Sequence, residues 1–215
     1  MQDNKRLNYI KEVLKNMPIG WLNLTTHRLD IYDEKLAKTQ FLDQFENLFK
    51  ENNSTTSALD ELPTAYDYIR LGHPLSSILE WGIAGLNNLK PESVISFSSK
   101  TVPVLAILRK NLLEHKNTQI FYTGELPEFF DAEVIKRVYA YKFELFHVES
   151  ASDISVPAGF RDNGSTIFIS EQKEINKLDL NSNIDFFISG YSQLGSILLV
   201  NGEQNKNYIS DIQHV

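Results

Sequence analysis

Short apolar segments alternate with amphipathic segments between residues 74 and 200, and this alternation is the strongest constraint on the fold. We predict helices at 74–88, 101–115 and 127–141, and strands at 94–98, 119–123, 144–148, 166–170, 184–189 and 196–200. A strand, a helix and a second strand at this spacing form a right-handed crossover between parallel strands. The sequence therefore predicts an α/β fold with a mostly parallel sheet flanked by helices.

The N-terminal part of the chain has a different pattern. Apolar residues recur at helical spacing in 4–16 and 33–50, and a polar run rich in Asn, Ser and Thr follows at 51–57. We therefore predict a helical N-terminal segment and linker at 1–58 and an α/β domain at 59–215. A chain of 215 residues is long enough for one such domain with an added helical segment.

Composition and charge argue against several classes of protein. The net charge of −7 is unfavourable for nucleic-acid binding, which requires a surplus of Lys and Arg. There is no cysteine for disulfides, iron–sulfur clusters or a thiol nucleophile, and the five histidines lack metal-ligand spacing, so we expect no metal. The N-terminus has no signal-peptide pattern, and no apolar stretch approaches the roughly 20 residues of a spanning helix. We expect no membrane association and a cytoplasmic location.

The turn at residues 98–101, with the sequence Ser-Ser-Lys-Thr, is a candidate anion site. It follows a predicted strand and opens a predicted helix, where backbone N–H groups and the helix dipole favour a phosphate. The three hydroxyls and the ammonium group of Lys100 would add donors. The alternative is that Ser99 or Thr101 only caps the helix, which is the commoner use of these residue types. The glycines of a Walker A loop are absent.

The segment 68–86 resembles the signature of a known enzyme family. Its sequence, YIRLGHPLSSILEWGIAGL, is similar to the pattern Tyr-Ser-Arg-x-Gly-Asn-Pro-Thr-x-x-x-Leu-Glu-x-x-Ile-Ala-x-Leu of the pyridoxal-phosphate (PLP) dependent Cys/Met metabolism enzymes. This fold-type I family includes cystathionine γ-synthase, cystathionine β-lyase and methionine γ-lyase. Residues 94–99 lie where the family has a strand ending in Ser-Ser-Gly-Met, and 120–124 resembles its Tyr-Gly-Gly turn.

The resemblance implies a large-domain fold of type I, PLP as cofactor, and a homo-oligomer whose sites are shared between subunits. The cofactor-binding residues that it implies are Tyr68, Arg70, Ser99, Lys100, Thr101 and Tyr122. The first two would contact a phosphate in the neighbouring subunit's site, the next three would form the phosphate loop, and the last would stack on the pyridine ring. The planar guanidinium group of arginine suits phosphate binding.

Several family residues have no counterpart in this chain. Lys100 and Thr101 replace the family's Gly-Met, and Ser192 lies where the resemblance places the Schiff-base lysine. No counterpart of the Asp that pairs with the pyridine nitrogen is found, and the C-terminal domain is missing. A serine cannot form the imine that anchors PLP. We therefore expect a degenerate or truncated member with no catalytic residue, unless Lys100 binds the aldehyde instead.

Three functions follow from these observations. The first is a non-catalytic homologue with a binding or assembly role, acting as a homo-oligomer or with a protein partner. The second is a residual PLP-dependent carbon–sulfur lyase or transferase acting on amino acids. The third is an unrelated α/β domain that binds a phosphate ligand at the turn 98–101.

Overall fold

The computed structural model of the protein describes residues 2–22, 34–63 and 73–213. The chain divides into two compact units, of which the first ends at Pro91 and the second begins at Glu92. None of the helices in these described ranges is long and apolar enough to cross a membrane.

The first unit is helical around an aromatic core. Its helices are α1 (Gln2–Asn16), α2 (Glu34–Glu51), α3 (Thr56–Asp60) and α4 (Pro74–Leu86). The core contains Tyr9, Val13, Trp21, Phe41, Leu42, Phe45, Phe49, Leu59, Ile78 and Trp81. The rings of Phe45 and Trp81 meet edge to face with centroids 5.1 Å apart, a favourable geometry for aromatic pairs. The predicted helical character of the N-terminal segment is therefore confirmed.

Most residues of α4 are buried, and polar side chains of the helix form hydrogen bonds there. Pro74 occupies the first turn, where a backbone N–H is not needed for helical hydrogen bonds. The buried carboxylate of Glu80 accepts a hydrogen bond from Lys38 at 2.5 Å, and the indole N–H of Trp81 donates to Glu46 at 2.6 Å. These bonds compensate for the cost of removing polar groups from water.

The polar run 51–57 forms structure in the first unit. It contains the end of α2, a turn and the beginning of α3, and the hydroxyl of Tyr9 donates to the carbonyl oxygen of Asn53 at 2.7 Å. Leu59, two residues later, is fully buried in the aromatic core. The compact units divide at Pro91, and the domain boundary after residue 58 stays a prediction.

The second unit is a six-stranded sheet with helices. In chain order it contains β1 (Val94–Phe97), α5 (Val102–Leu113), β2 (Asn117–Tyr122), α6 (Ala132–Tyr139), β3 (Phe143–His147), β4 (Gly164–Glu171), β5 (Phe186–Tyr191), β6 (Gly195–Val200) and α7 (Asn207–Gln213). The strand order is β1-β6-β5-β4-β2-β3. The pairs β2–β3, β2–β4 and β4–β5 are parallel, whereas β6 runs antiparallel to both of its neighbours. The predicted α/β fold with a mostly parallel sheet flanked by helices is confirmed.

Side chains from the strands and helices of the second unit form one core. Ile120, Ile167 and Phe186 are fully buried there. In the sheet register, Ile120 lies opposite both Leu145 and Ile167, and Ile167 lies opposite Phe186, so that large apolar residues are neighbours across four strands. Removal of these apolar side chains from water is the main contribution to the stability of the second unit.

Helix α6 begins later than predicted. The sequence predicts a helix from residue 127, but α6 begins at Ala132 because the carboxylate of Asp131 accepts hydrogen bonds from the N–H groups of Glu133 and Val134, each at 3.0 Å. Asp is a strong N-cap residue, and it fixes the start of the helix. Residues 125–131 are consequently an irregular connection between β2 and α6.

A buried polar network joins α5, α7 and the beginnings of β2 and β4. The side-chain amide of Asn111 donates to the hydroxyls of Thr118 at 2.7 Å and Ser165 at 2.6 Å. Its carbonyl oxygen accepts from the hydroxyl of Tyr208 at 2.6 Å. Asn111 is 1% exposed, so water cannot replace these partners.

We predict that Asn111→Ala destabilises the second unit by about 2–4 kcal/mol, because it removes the amide partner of the buried hydroxyls of Thr118 and Ser165 and one of the partners of the Tyr208 hydroxyl. Tyr208→Phe removes the hydroxyl that bonds to Asn111, Lys116 and Glu114 but leaves no large cavity and keeps the two bonds of the Asn111 amide, so a smaller loss of about 1 kcal/mol is expected. The measurement is hydrogen–deuterium exchange of the peptides that cover β2 and β4. Equal protection in the two variants would contradict this account of the network.

Candidate functional site

A cleft lies at the edge of the sheet where β1, β2, β4 and β5 have their carboxyl ends. Its volume is about 810 Å³. Its walls include three connections: residues 98–101 after β1, residues 125–129 after β2, and residues 192–195 between β5 and β6. Crevices at the carboxyl ends of strands are the usual ligand sites of open α/β sheets. The cleft is therefore the candidate functional site of the second unit.

The turn 98–101 is stabilised by its own side chains. The hydroxyl of Ser99 accepts hydrogen bonds from the N–H groups of Thr101 at 3.1 Å and Val102 at 3.2 Å. The carbonyl oxygen of Ser99 accepts a hydrogen bond from the hydroxyl of Ser196 at 2.6 Å. The hydroxyl of Ser99 thus binds N–H groups at the start of α5, whose N-cap position is Thr101 without a side-chain capping bond. The role of Ser99 in a phosphate loop stays a prediction.

Lys100 forms an ion pair within the cleft. Its ammonium group contacts the carboxylate of Glu171 at the end of β4. Its stem passes over β5, where a Cβ added to Gly190 would lie 3.7 Å from the Lys100 Cδ. The Lys100 and Glu171 side chains are 31% and 68% exposed, and an ion pair of this exposure contributes little to stability. Within the cleft, the carboxylate of Glu171 neutralises the positive charge of Lys100.

The hairpin between β5 and β6 forms another wall of the cleft. Ser192, which lies where the resemblance expects a lysine, is an exposed residue of this wall. The neighbouring Tyr191 is buried, and burial raises the pKa of its hydroxyl. At the position where the resemblance expects an imine-forming lysine, the hairpin presents the hydroxyl of Ser192.

Gly195 sets the distance between this hairpin and the turn after β1. Its φ of +84° is a left-handed conformation that favours glycine. A Cβ at this position would overlap the carbonyl oxygen of Phe97 and lie 2.6 Å from the carbonyl carbon of Ser98. Only a residue without a side chain allows so close an approach.

Of the other three predicted site residues, Tyr122 alone is described. Tyr122 is at the end of β2, where its ring meets that of His147 edge to face with centroids 5.3 Å apart, and it is not among the residues that line the cleft. Tyr68 and Arg70 lie outside the described residues. The cleft thus brings together Ser99, Lys100 and Thr101, and the roles of all six residues toward PLP stay predictions.

Sequence reasoning missed the acidic and apolar part of the cleft. Glu125, Glu128 and Phe129, from the connection between β2 and α6, line it together with Glu171. The sequence feature that could have indicated this part of the cleft is Gly124, which ends the predicted strand. It indicates a position beside the cleft only when the strand order is known. Within the described residues, no group of His, Asp and Glu side chains could hold a metal ion.

Comparison with known proteins gives matches among solved structures alone. No family model and no curated protein matches the chain. The metB structure of Corynebacterium glutamicum is 17% identical with a TM-score of 0.41, and covers 72% of this chain and 49% of its own. A methionine gamma-lyase of Micromonospora echinospora is 13% identical with a TM-score of 0.39. The match covers 69% of this chain and 50% of the lyase chain.

A third match, from Campylobacter jejuni and assigned as an O-acetylhomoserine (thiol)-lyase, contains a pyridoxyl-lysine phosphate. It is 15% identical with a TM-score of 0.38, and covers 88% of this chain and 50% of its own. The matched structures therefore include enzymes of the family that residues 68–86 resemble. The chain spans about half the length of these three proteins. Likeness at these values leaves the activity of this chain unassigned.

The described residues of the cleft do not fit PLP as a covalently bound cofactor. The hydroxyl of Ser99 occupies the N–H group of Thr101 in the turn 98–101 and that of Val102 at the start of α5, and the ammonium group of Lys100 is paired with Glu171. Glu125 and Glu128 add negative charge to the cleft, which is unfavourable for a phosphate. Ser192 lies where an imine-forming lysine is expected.

We predict that Gly195→Ala destabilises the second unit by more than about 2 kcal/mol, because the new methyl group would overlap backbone atoms in addition to straining φ. Gly124→Ala is the matched control. Gly124 also has a positive φ, of +66°, but a Cβ there would have no atom within 4 Å. The control should cost about 1 kcal/mol. Urea unfolding followed by far-UV circular dichroism measures both, and equal losses would contradict the close approach described for Gly195.

Proposed function

We propose that this chain is a non-catalytic relative of the PLP-dependent Cys/Met metabolism enzymes, and that its cleft has a binding role. The observation that carries this proposal is the identity of Ser192. This serine lines the cleft on the β5–β6 hairpin, where the resemblance expects the lysine that forms the imine. A hydroxyl group cannot form that bond, so the anchoring reaction of the family is lost at this position.

The contacts of the remaining cleft residues support the same proposal. Lys100 is the one lysine among the described residues that line the cleft, and its charge is neutralised by Glu171. The hydroxyl of Ser99 binds N–H groups at the start of α5. The side chains of Ser99 and Lys100 are thus both engaged within the protein.

A residual enzyme is the second candidate, and the position of Lys100 favours it. If the ion pair with Glu171 opens, the Lys100 amine lies inside the cleft and could react with the aldehyde of PLP. The chain would then be a carbon–sulfur lyase or transferase acting on amino acids. An unrelated phosphate-binding domain has less support, because the N–H groups of Thr101 and Val102, at the start of α5, are already engaged.

The proposal includes a partner and a location. Tyr68 and Arg70 are implied by the resemblance to reach a neighbouring subunit, which supports a homo-oligomer. A cytoplasmic location is proposed with it. Sedimentation equilibrium of the purified chain should therefore give a multiple of 24.7 kDa at micromolar concentration. A mass of one chain at all concentrations would contradict the homo-oligomer and leave a different protein as the partner.

We predict that the folded chain forms no imine with added PLP. The measurement is the visible absorption spectrum after PLP addition, followed by borohydride reduction and peptide mapping. Wild type and Lys100→Met should show the same spectrum, without an aldimine band. Lys177→Met, a change at an exposed lysine outside the cleft, is the matched control for surface modification.

A reduced adduct on Lys100 that is lost in Lys100→Met and kept in Lys177→Met would overturn the non-catalytic proposal. The residual enzyme would then be the better account, with Lys100 as its anchor. Far-UV circular dichroism of each variant establishes that the protein tested is folded.

A further inference from the structure

We infer that the cleft binds a basic segment of a partner protein, in which an Arg or Lys lies next to an apolar side chain. This inference rests on the binding role proposed above and names the chemistry of its occupant. It is drawn from three properties of the cleft: its charge, its exposed apolar side chains and its size.

The charge of the cleft is negative. The carboxylates of Glu125, Glu128 and Glu171 line it, and Lys100 is the only basic residue in the described lining. Because Lys100 is paired with Glu171, the charges of Glu125 and Glu128 remain. Neither of these two carboxylates forms an ion pair within the described residues. A cationic group would therefore be attracted to this cleft and a phosphate repelled.

Large apolar side chains are exposed in the same cleft. Phe129, next to Glu128 in the connection after β2, is 80% exposed, and Leu194, on the hairpin after β5, is 52% exposed. In the sheet, β4 lies between β2 and β5, so these two connections flank the end of β4. Exposed apolar residues that border a cleft are typical of surfaces that bind a partner.

The negative charge and the exposed apolar side chains together indicate which kind of ligand the cleft binds. A guanidinium or ammonium group can lie over the Phe129 ring while it contacts a nearby carboxylate, which combines a cation–π interaction with an ion pair. An apolar neighbour of that cation could cover Leu194. The volume of about 810 Å³ exceeds the size of one side chain and is within the range of about 300–1,000 Å³ for ligand pockets. A short basic and apolar peptide segment meets all three conditions.

Fluorescence anisotropy with labelled heptapeptides tests this inference on the full chain at low ionic strength. The probe is the peptide GRLRFRG, with GELEFEG and GRGRGRG as comparisons. GRLRFRG should bind, GRGRGRG should bind more weakly because it lacks apolar side chains, and GELEFEG should not bind. Added salt should weaken the binding of GRLRFRG, since the attraction is largely electrostatic.

Variants locate the binding to the cleft. The double variant Glu125→Gln/Glu128→Gln should raise the Kd for GRLRFRG by about tenfold, and Phe129→Ala by about threefold or more. Glu149→Gln/Glu174→Gln removes the same number of charges at exposed positions outside the cleft and should leave the Kd unchanged. Both double variants change the net charge of the chain equally, which separates local from long-range attraction.

Three results would overturn the inference: no binding of GRLRFRG, equal binding of GELEFEG, or an equal loss in the two double variants. The test of the proposed function is separate, because it depends on the PLP adduct with Lys100. Failure of the peptide experiment without an adduct leaves the non-catalytic proposal standing. An adduct on Lys100 overturns that proposal whatever the peptide does.

Discussion

The insertion of β6 between β1 and β5 is the interaction on which the cleft depends. β6 pairs antiparallel with both neighbours, and through it β1 joins the parallel strands of the sheet. The hairpin that leads into β6 brings Gly195 against the backbone of Ser98, and Ser196 donates to the carbonyl oxygen of Ser99. One strand thus fixes the separation between two walls of the cleft, the turn 98–101 and the hairpin 192–195.

Much of the fold follows from the sequence, because each strand is a short apolar run and each crossover helix has an apolar face. The direction of β6 could not be predicted, since an apolar run at 196–200 has the same composition whether the strand is parallel or antiparallel. The start of α6 depends on which polar residue caps it, and capping by Asp131 places that start at Ala132, five residues after the predicted one. That difference converts the predicted first turn of a helix into a wall of the cleft.

Local sequence patterns also allowed part of the candidate site to be predicted. The turn 98–101 is recognisable because a strand passes directly into a helix there. The pairing of Lys100 with Glu171 joins residues 71 positions apart and requires the strand order, which places the ends of β1, β5 and β4 along one edge. The acidic and apolar connection 125–129 is a loop without a motif. It is recognised as part of the candidate site only because it lies beside the end of β4. Long-range geometry of this kind is absent from local sequence patterns.

Side chains at the two ends of the strands differ in what they contribute to stability. At the amino ends of the strands, the carboxylate of Asp185 accepts hydrogen bonds from the Thr166 N–H and hydroxyl, each at 2.9 Å, and from Asn205 at 3.0 Å. The Asn111 network lies near the same edge, and both are buried. At the carboxyl ends, Glu125 and Glu128 keep exposed charges that contribute little to folding. Because the buried networks hold the strands together, we expect substitutions of exposed cleft residues to leave the fold intact.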